Sequence, residues 1–177
     1  MRRFLATVGQ IGLALGLILF VLVGAVFFAR HPIARLAFDL PAFSHEVGSH
    51  EEVTVLTRDD VPLSTQVVLP DGEGPWPTVI IRNPYNLLNA FTFVCELFTR
   101  YGFACVHQDV RGRMGSGGKW YPLVHEREDG FDLFTWLRGQ SFQDGRWAMF
   151  GPSYMSGVQW AVADQLPGEV KTLVSMV

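Results

Sequence analysis

Residues 147–157 read Trp147-Ala148-Met149-Phe150-Gly151-Pro152-Ser153-Tyr154-Met155-Ser156-Gly157 and join a short apolar run to a helical pattern through a turn that contains a serine. A short apolar run without polar alternation is typical of a strand buried on both faces. A serine at such a junction favours a nucleophile elbow, which needs small residues two places before and usually two places after it. Gly151 meets the first need, whereas Met155 occupies the second position and Ser156 follows it. The alternative is that Ser153 only caps the helix N-terminus.

Strand and helix patterns alternate on both sides of this turn. Buried strands are predicted at residues 78–82 and 103–107, and a further apolar run covers residues 170–177. Between them a helix begins near Glu126 and ends near Arg138, with acidic residues in its first turn and a basic one in its last, as the helix dipole favours. This alternation predicts an α/β fold with a mostly parallel sheet and helices on both faces.

An antiparallel hairpin is predicted ahead of the parallel strands. Val53 and Val55 alternate with polar residues, and so do the apolar positions of residues 63–69. Residues 58–62 supply the turn between the two runs. The sheet is therefore expected to be mixed, with the hairpin at its leading edge.

The N-terminal region predicts a membrane segment. Residues 11–29 form an unbroken apolar run of 19 residues, close to the roughly 20 that a membrane-spanning helix needs. This length favours an uncleaved signal anchor over the alternative of a cleaved signal peptide. We therefore expect an anchor at 1–30, a connector at 31–50 and a domain at 51–177. The protein would be single-pass, with that domain on the extracytoplasmic side of the membrane.

Composition excludes several classes of function. With 14 Lys+Arg, 17 Asp+Glu and a net charge of −3, the chain lacks the basic surface of a nucleic-acid binder.

Cys95 and Cys105 are expected to be free and buried, since two cysteines build neither a disulfide scaffold nor a four-ligand zinc site. His107 and His125 are interpreted as structural or surface residues. The glycine-rich residues 111–120 fail the spacing of a phosphate-binding loop.

Three stretches together resemble the X-Pro dipeptidyl-peptidase and cocaine-esterase type of α/β-hydrolase: residues 83–86 (Asn-Pro-Tyr-Asn), 109–112 (Asp-Val-Arg-Gly) and 144–154. The likeness runs from about Val53 to Val177. The family's elbow has the form Gly-x-Ser-Tyr-x-Gly, and Ser156 stands where its last glycine would fall. The resemblance implies an α/β-hydrolase fold.

The resemblance also implies roles for three residues. Ser153 would attack an ester or amide carbonyl, and the backbone N–H of Tyr154 and the hydroxyl of Tyr85 would donate hydrogen bonds to the oxyanion. The alternative for Tyr85 is a turn tyrosine that packs beside a proline. Asp109 and Arg111 are interpreted as a local ion pair that orders their loop, with substrate binding as the alternative. Neither a metal nor an organic cofactor is expected, and the partner would be a small ester or peptide substrate.

No histidine follows Ser153, and the acids after it are Asp164 and Glu169. In α/β-hydrolases the serine, the acid and the histidine occur in that order. We therefore expect the N-terminal part of a serine hydrolase that cleaves an ester or peptide bond, inactive as 177 residues alone. The alternative is a non-catalytic binding protein or pseudo-enzyme remnant with the same fold. The substrate and the oligomeric state stay open.

Overall fold

The computed structural model describes residues 16, 18–19, 21–26, 29–86 and 90–176. These residues fall into two compact units, one ending at Ala42 and one beginning at Phe43. The first unit contains helix α1. In the second unit, strands and helices alternate in the order β1, β2, β3, α2, β4, α3, β5, α4 and β6. Their bounds are α1 Arg30–Ala37, β1 Val47–Leu56, β2 Pro62–Pro70, β3 Trp76–Asn83, α2 Ala90–Thr99, β4 Ala104–Asp109, α3 Glu126–Arg138, β5 Gln143–Pro152, α4 Tyr154–Val162 and β6 Val170–Met176, with a short 3₁₀ turn at Ala163–Gln165.

The six strands form one mixed sheet in the order β1-β2-β4-β3-β5-β6. β1 and β2 pair as an antiparallel hairpin, and β2 joins the parallel strands through an antiparallel pairing with β4. The pairs β3–β4, β3–β5 and β5–β6 are parallel. β1 begins at Val47, within the residues 31–50 predicted as a connector, and β5 begins four residues before Trp147. Helix α2 begins at Ala90, and residues 87–89 before it lie outside the described residues.

Apolar side chains cover both faces of the sheet, which is why the parallel strands show no polar alternation. On one face Ile80 and Val106 pack with Leu133 and Leu137 of α3. On the other face Ile81 and its neighbours pack against α2 and Met155 of α4. Because β3 pairs in parallel with both β4 and β5, the carboxyl ends of these three strands meet at one edge of the sheet. Open parallel sheets bind their ligands at this edge.

The prediction of two free cysteines is wrong, because Cys95 and Cys105 form a disulfide in the structure. α2 packs on β4 and brings their Cα atoms to 5.3 Å, within the range of about 4.4–6.8 Å that disulfides require. The sequence pattern identified both residues as buried, and both are fully buried. Their pairing depends on how the helix packs on the strand.

The prediction of a transmembrane helix over residues 11–29, and with it a membrane contact and a single-pass localisation, is contradicted. Among the described residues, none belongs to a helix that is both long and apolar enough to cross a bilayer. A spanning helix needs roughly 20 apolar residues. Helix α1, which follows the predicted span, has eight residues in all and includes Arg30 and Arg35. Residues 11–15, 17, 20, 27 and 28 of the predicted span lie outside the described residues.

Candidate active site

The turn between β5 and α4 holds Ser153 in an unusual backbone conformation. Its φ and ψ are 57° and −125°, a combination that is costly for a residue with a side chain and that clusters at functional sites. The Ser153 N–H donates to Met176 O at 2.9 Å, so β6 supports the turn. The Ser153 side chain makes no capping hydrogen bond to the described amides of α4. Helix capping therefore does not account for this serine.

Gly151 is required by the same turn. Its φ is 154°, and a Cβ at this position would lie 2.5 Å from Met155 Cβ. Such a contact is far shorter than atoms tolerate, so a larger residue would push α4 away from β5. Ser156, in the next position of the elbow pattern, is buried, and its Oγ contacts Ser175 Oγ on β6. A serine in place of the family's glycine is thus accommodated by a hydroxyl on the neighbouring strand.

Tyr85 reaches this turn from the end of β3. The Asn83 side chain fixes the loop, because its Oδ1 accepts from Tyr85 N and its Nδ2 donates to Tyr85 O, both at 2.9 Å. The Tyr85 hydroxyl donates to Ser153 Oγ at 3.0 Å. The Tyr154 N–H donates to the Tyr85 hydroxyl oxygen at 3.2 Å. All three residues predicted for the site therefore lie together, and the Tyr85 hydroxyl lies between Ser153 Oγ and the Tyr154 N–H.

The phenol of Tyr154 points away from Ser153 into a polar cluster. It donates to Glu126 Oε1 at 2.7 Å and accepts from Leu123 N at 3.0 Å and Trp120 Nε1 at 3.3 Å. Burial raises the pKa of this phenol, and the hydrogen bond to Glu126 raises it further, so the phenol stays protonated and donates. The resemblance implies a role for the Tyr154 backbone only, and it does not indicate the contact with Glu126.

A buried ionic network lies behind Glu126. Arg82 of β3 is fully buried, and its guanidinium lies 3.0 Å from Glu126 and 3.8 Å from Asp129. Arg111 is also buried and donates to both oxygens of Asp129 and both oxygens of Asp59. The Arg111 guanidinium holds the pKa of the Asp59 carboxyl well below its ordinary value. Such charges are retained in a core only when they are paired.

The predicted ion pair between Asp109 and Arg111 is not present in the structure. Arg111 turns to Asp59 and Asp129, whereas Asp109 Oδ2 accepts from Gly115 N at 3.2 Å. Burial raises the pKa of Asp109. The partners of Arg111 lie 52 and 18 residues away along the chain, so no local sequence pattern could have identified them.

A cavity of about 160 Å³ lies beside Tyr85 at the same edge of the sheet. Alternate residues of β4 face it, so His107 and Asp109 both line the cavity. Phe91 and Thr92 of α2 line it as well. His107 is 9% exposed, and neither of its ring nitrogens has a hydrogen-bond partner among the described residues. Burial lowers its pKa to about 4, so the ring is neutral at pH 7. His107, predicted as structural or surface, lines a cavity next to the candidate site.

The chain is similar to proteins of one hydrolase family. Residues 59–177 match the model of the X-Pro dipeptidyl-peptidase (S15 family). The cocaine esterase of Rhodococcus sp. (strain MB1 Bresler) is 36% identical over 126 residues, which cover 68% of this chain and 22% of the esterase.

Two solved structures show the same fold. An α-amino acid ester hydrolase superposes with a TM-score of 0.66 at 25% identity, over 78% of this chain and 27% of that one. An aminopeptidase from the marine sediment archaeon Thaumarchaeota archaeon gives a TM-score of 0.61 at 23% identity, over 75% of this chain and 26% of that one. The chain thus spans about a quarter of the length of these relatives. Because the family model matches most of its residues, the chain belongs to the X-Pro dipeptidyl-peptidase (S15) family.

Proposed function

We propose that this chain carries the nucleophile and the oxyanion donors of a serine hydrolase that cleaves an ester or amide bond. The observation that carries the proposal is the convergence of three groups: Ser153 Oγ, the Tyr85 hydroxyl and the Tyr154 N–H. Family membership supports the same reaction class. The strained φ of Ser153 gives further support, because such strain clusters at functional sites.

The reaction follows from these positions. A general base removes the proton of Ser153 Oγ, which attacks the substrate carbonyl carbon, and the carbonyl oxygen becomes an oxyanion. The bond from the Tyr154 N–H to the Tyr85 hydroxyl gives way as both groups donate to the oxyanion. The protonated base gives this proton to the alcohol or amine, whose bond to the carbonyl carbon breaks, and an acyl-serine ester is left. Water then gives a proton to the base and attacks the ester carbon. The bond from this carbon to Ser153 Oγ breaks, the acid is released and the base returns the proton to Ser153.

The general base and the triad acid are not assigned to residues of this chain. No histidine follows Ser153 in the sequence, and α/β-hydrolases place theirs after the serine. The second candidate function is a non-catalytic protein that retains the fold and binds substrate-like molecules in a cavity that Tyr85 lines. The 3.0 Å contact from Tyr85 to Ser153 favours the hydrolase.

The test uses the native gene product that contains these residues. We expect it to hydrolyse p-nitrophenyl acetate or an X-Pro p-nitroanilide and to be labelled by a fluorophosphonate. The Ser153→Ala variant should lose both properties, whereas Ser141→Ala, at an exposed serine, should keep them. A native product that turns over neither substrate and resists the fluorophosphonate would favour the binding role. Full activity of Ser153→Ala would refute the assignment of the nucleophile.

A further inference from the structure

The oxyanion donor of Tyr154 is attached to a side chain whose hydroxyl has three hydrogen-bond partners. Glu126 Oε1 accepts its proton at 2.7 Å, and Leu123 N and Trp120 Nε1 donate to its oxygen. A hydrogen bond to a carboxylate is shorter and roughly twice as strong as one between neutral groups. The phenol therefore cannot turn without losing its strongest contact, and the Tyr154 backbone is fixed with it.

Glu126 is itself held in place from the opposite side. Glu126 is 2% exposed, and its carboxylate lies 3.0 Å from Arg82 Nη1. Arg82 Nη1 also donates to the Glu126 backbone oxygen at 2.8 Å, and Arg82 Nε donates to Gln108 Oε1 at 2.9 Å. The position of Glu126 in the first turn of α3 favours a negative charge there. The carboxylate is thus anchored both by a buried cation and by its own helix.

These contacts connect the two strands that supply the oxyanion donors. Arg82 lies on β3, three residues before Tyr85, and Tyr154 lies two residues after the end of β5. The path from Arg82 through Glu126 to the Tyr154 phenol therefore joins the two backbones by charge-assisted contacts. A shift of either strand would change the distance between the Tyr85 hydroxyl and the Tyr154 N–H.

We propose that Glu126 is a positioning residue of the oxyanion site, which acts through the Tyr154 phenol to keep the Tyr154 N–H directed at the point where the Tyr85 hydroxyl donates. This inference rests on the proposed function. Glu126 does not contact the substrate in this role. Its contribution is to reduce the reorganisation that the donors need when charge develops on the substrate oxygen.

The test is a double-mutant cycle on the native gene product. Glu126→Gln removes the charge and keeps the shape, and Tyr154→Phe removes the phenol hydroxyl and keeps the backbone N–H. We expect each single variant to lower the acylation rate constant for p-nitrophenyl acetate about 10- to 100-fold, with KM changed less than about threefold, since misplacing a group by about 1 Å can cost about 100-fold. The double variant should lose no more than the larger single loss.

A matched control comes from the same helix. Asp132 pairs with Arg58 and has no contact with Tyr154 among the described residues. Asp132→Asn should leave the acylation rate constant unchanged while it removes a carboxylate of α3. Thermal melting of every variant separates loss of the fold from loss of the oxyanion geometry.

Two outcomes would overturn the inference. One is a Glu126→Gln variant that melts at a lower temperature but acylates at the wild-type rate, because that result assigns Glu126 to stability alone. The other is a double variant whose rate losses multiply, because the two residues would then act independently. Full activity of Ser153→Ala would instead refute the proposed function, and it is measured separately.

Discussion

The substitution Tyr85→Phe removes one hydroxyl from the candidate oxyanion site and keeps the ring. The ring is partly buried and packs against the apolar cluster that includes Met155. The lost hydroxyl accepts from Tyr154 N and donates to Ser153 Oγ at a solvent-exposed position. We therefore expect the free energy of unfolding to fall by no more than about 1 kcal/mol. The effect on catalysis should be much larger, because one oxyanion donor contributes about 2.7–4 kcal/mol to the transition state.

That free energy corresponds to a fall in kcat of about 100- to 1000-fold. KM should change less than about threefold, since the donor meets charge that develops only in the transition state. The assay is steady-state hydrolysis of p-nitrophenyl acetate by the native gene product, which gives kcat and KM, with thermal melting alongside. The control is Tyr121→Phe, at a tyrosine that is 54% exposed. A kcat for Tyr85→Phe within about threefold of wild type would falsify the oxyanion role, and so would a rise in KM alone.

Three further predictions follow from the geometry. Gly151→Ala places a Cβ 2.5 Å from Met155 Cβ at a φ of 154° and should lower the free energy of unfolding by about 2–4 kcal/mol. Urea denaturation measures this loss, with Gly168→Ala as the control because a Cβ there meets nothing within 4 Å. Equal losses for the two variants would contradict the prediction. Burial lowers the pKa of His107 to about 4, so the unfolded state binds a proton first as the pH falls below about 6.5. Stability should then fall by about 1.4 kcal/mol per unit until about pH 4, and His107→Leu should remove this part of the pH dependence; an unchanged slope in urea denaturation would argue against it. Reduction of the Cys95–Cys105 disulfide, which joins residues ten apart, should lower the free energy of unfolding by about 2–3 kcal/mol, and thiols that titrate before reduction would show that the bond is absent.

The candidate site could be predicted in part because its backbone signals are local. The strand, turn and helix around Ser153 follow from side-chain periodicity and a glycine within residues 147–157, and the structure has β5 and α4 there. The helix from Glu126 to Arg138 follows in the same way from apolar spacing and charged ends. Tyr85 was identified by resemblance, because a tyrosine after a strand has no local signal for an oxyanion donor.

Side-chain partners were predicted poorly. Proximity along the chain predicts that Arg111 pairs with Asp109, yet the structure pairs it with Asp59 and Asp129. The sequence pattern explains Glu126 only through the helix dipole, although its carboxylate accepts from the Tyr154 phenol 28 residues away. The partners of Arg111 and Glu126 depend on which strands are adjacent and on the register between them. A charged residue in a core takes the partner that packing brings within reach, because an unpaired buried charge costs too much.

The prediction of a transmembrane helix at the N-terminus is also wrong. The apolar run over residues 11–29 met the length rule for a bilayer span, but a length rule tests composition and not the helix that forms. No helix that could span a membrane is found in the part of the chain that the structure describes. The cysteines illustrate the same limit, since apolar surroundings predicted burial correctly and pairing incorrectly.

The spacing of apolar residues along this chain is sufficient to derive the alternation of strands and helices, the leading hairpin and the serine at the turn after β5. These features depend on interactions within a few residues. The convergence of the Tyr85 hydroxyl and the Tyr154 N–H at Ser153 depends instead on β3 and β5 pairing in parallel. The contact of Glu126 with Tyr154 likewise requires α3 and α4 to pack on this sheet. Such long-range contacts arise from burial and register, which the order of residues along a short segment does not encode.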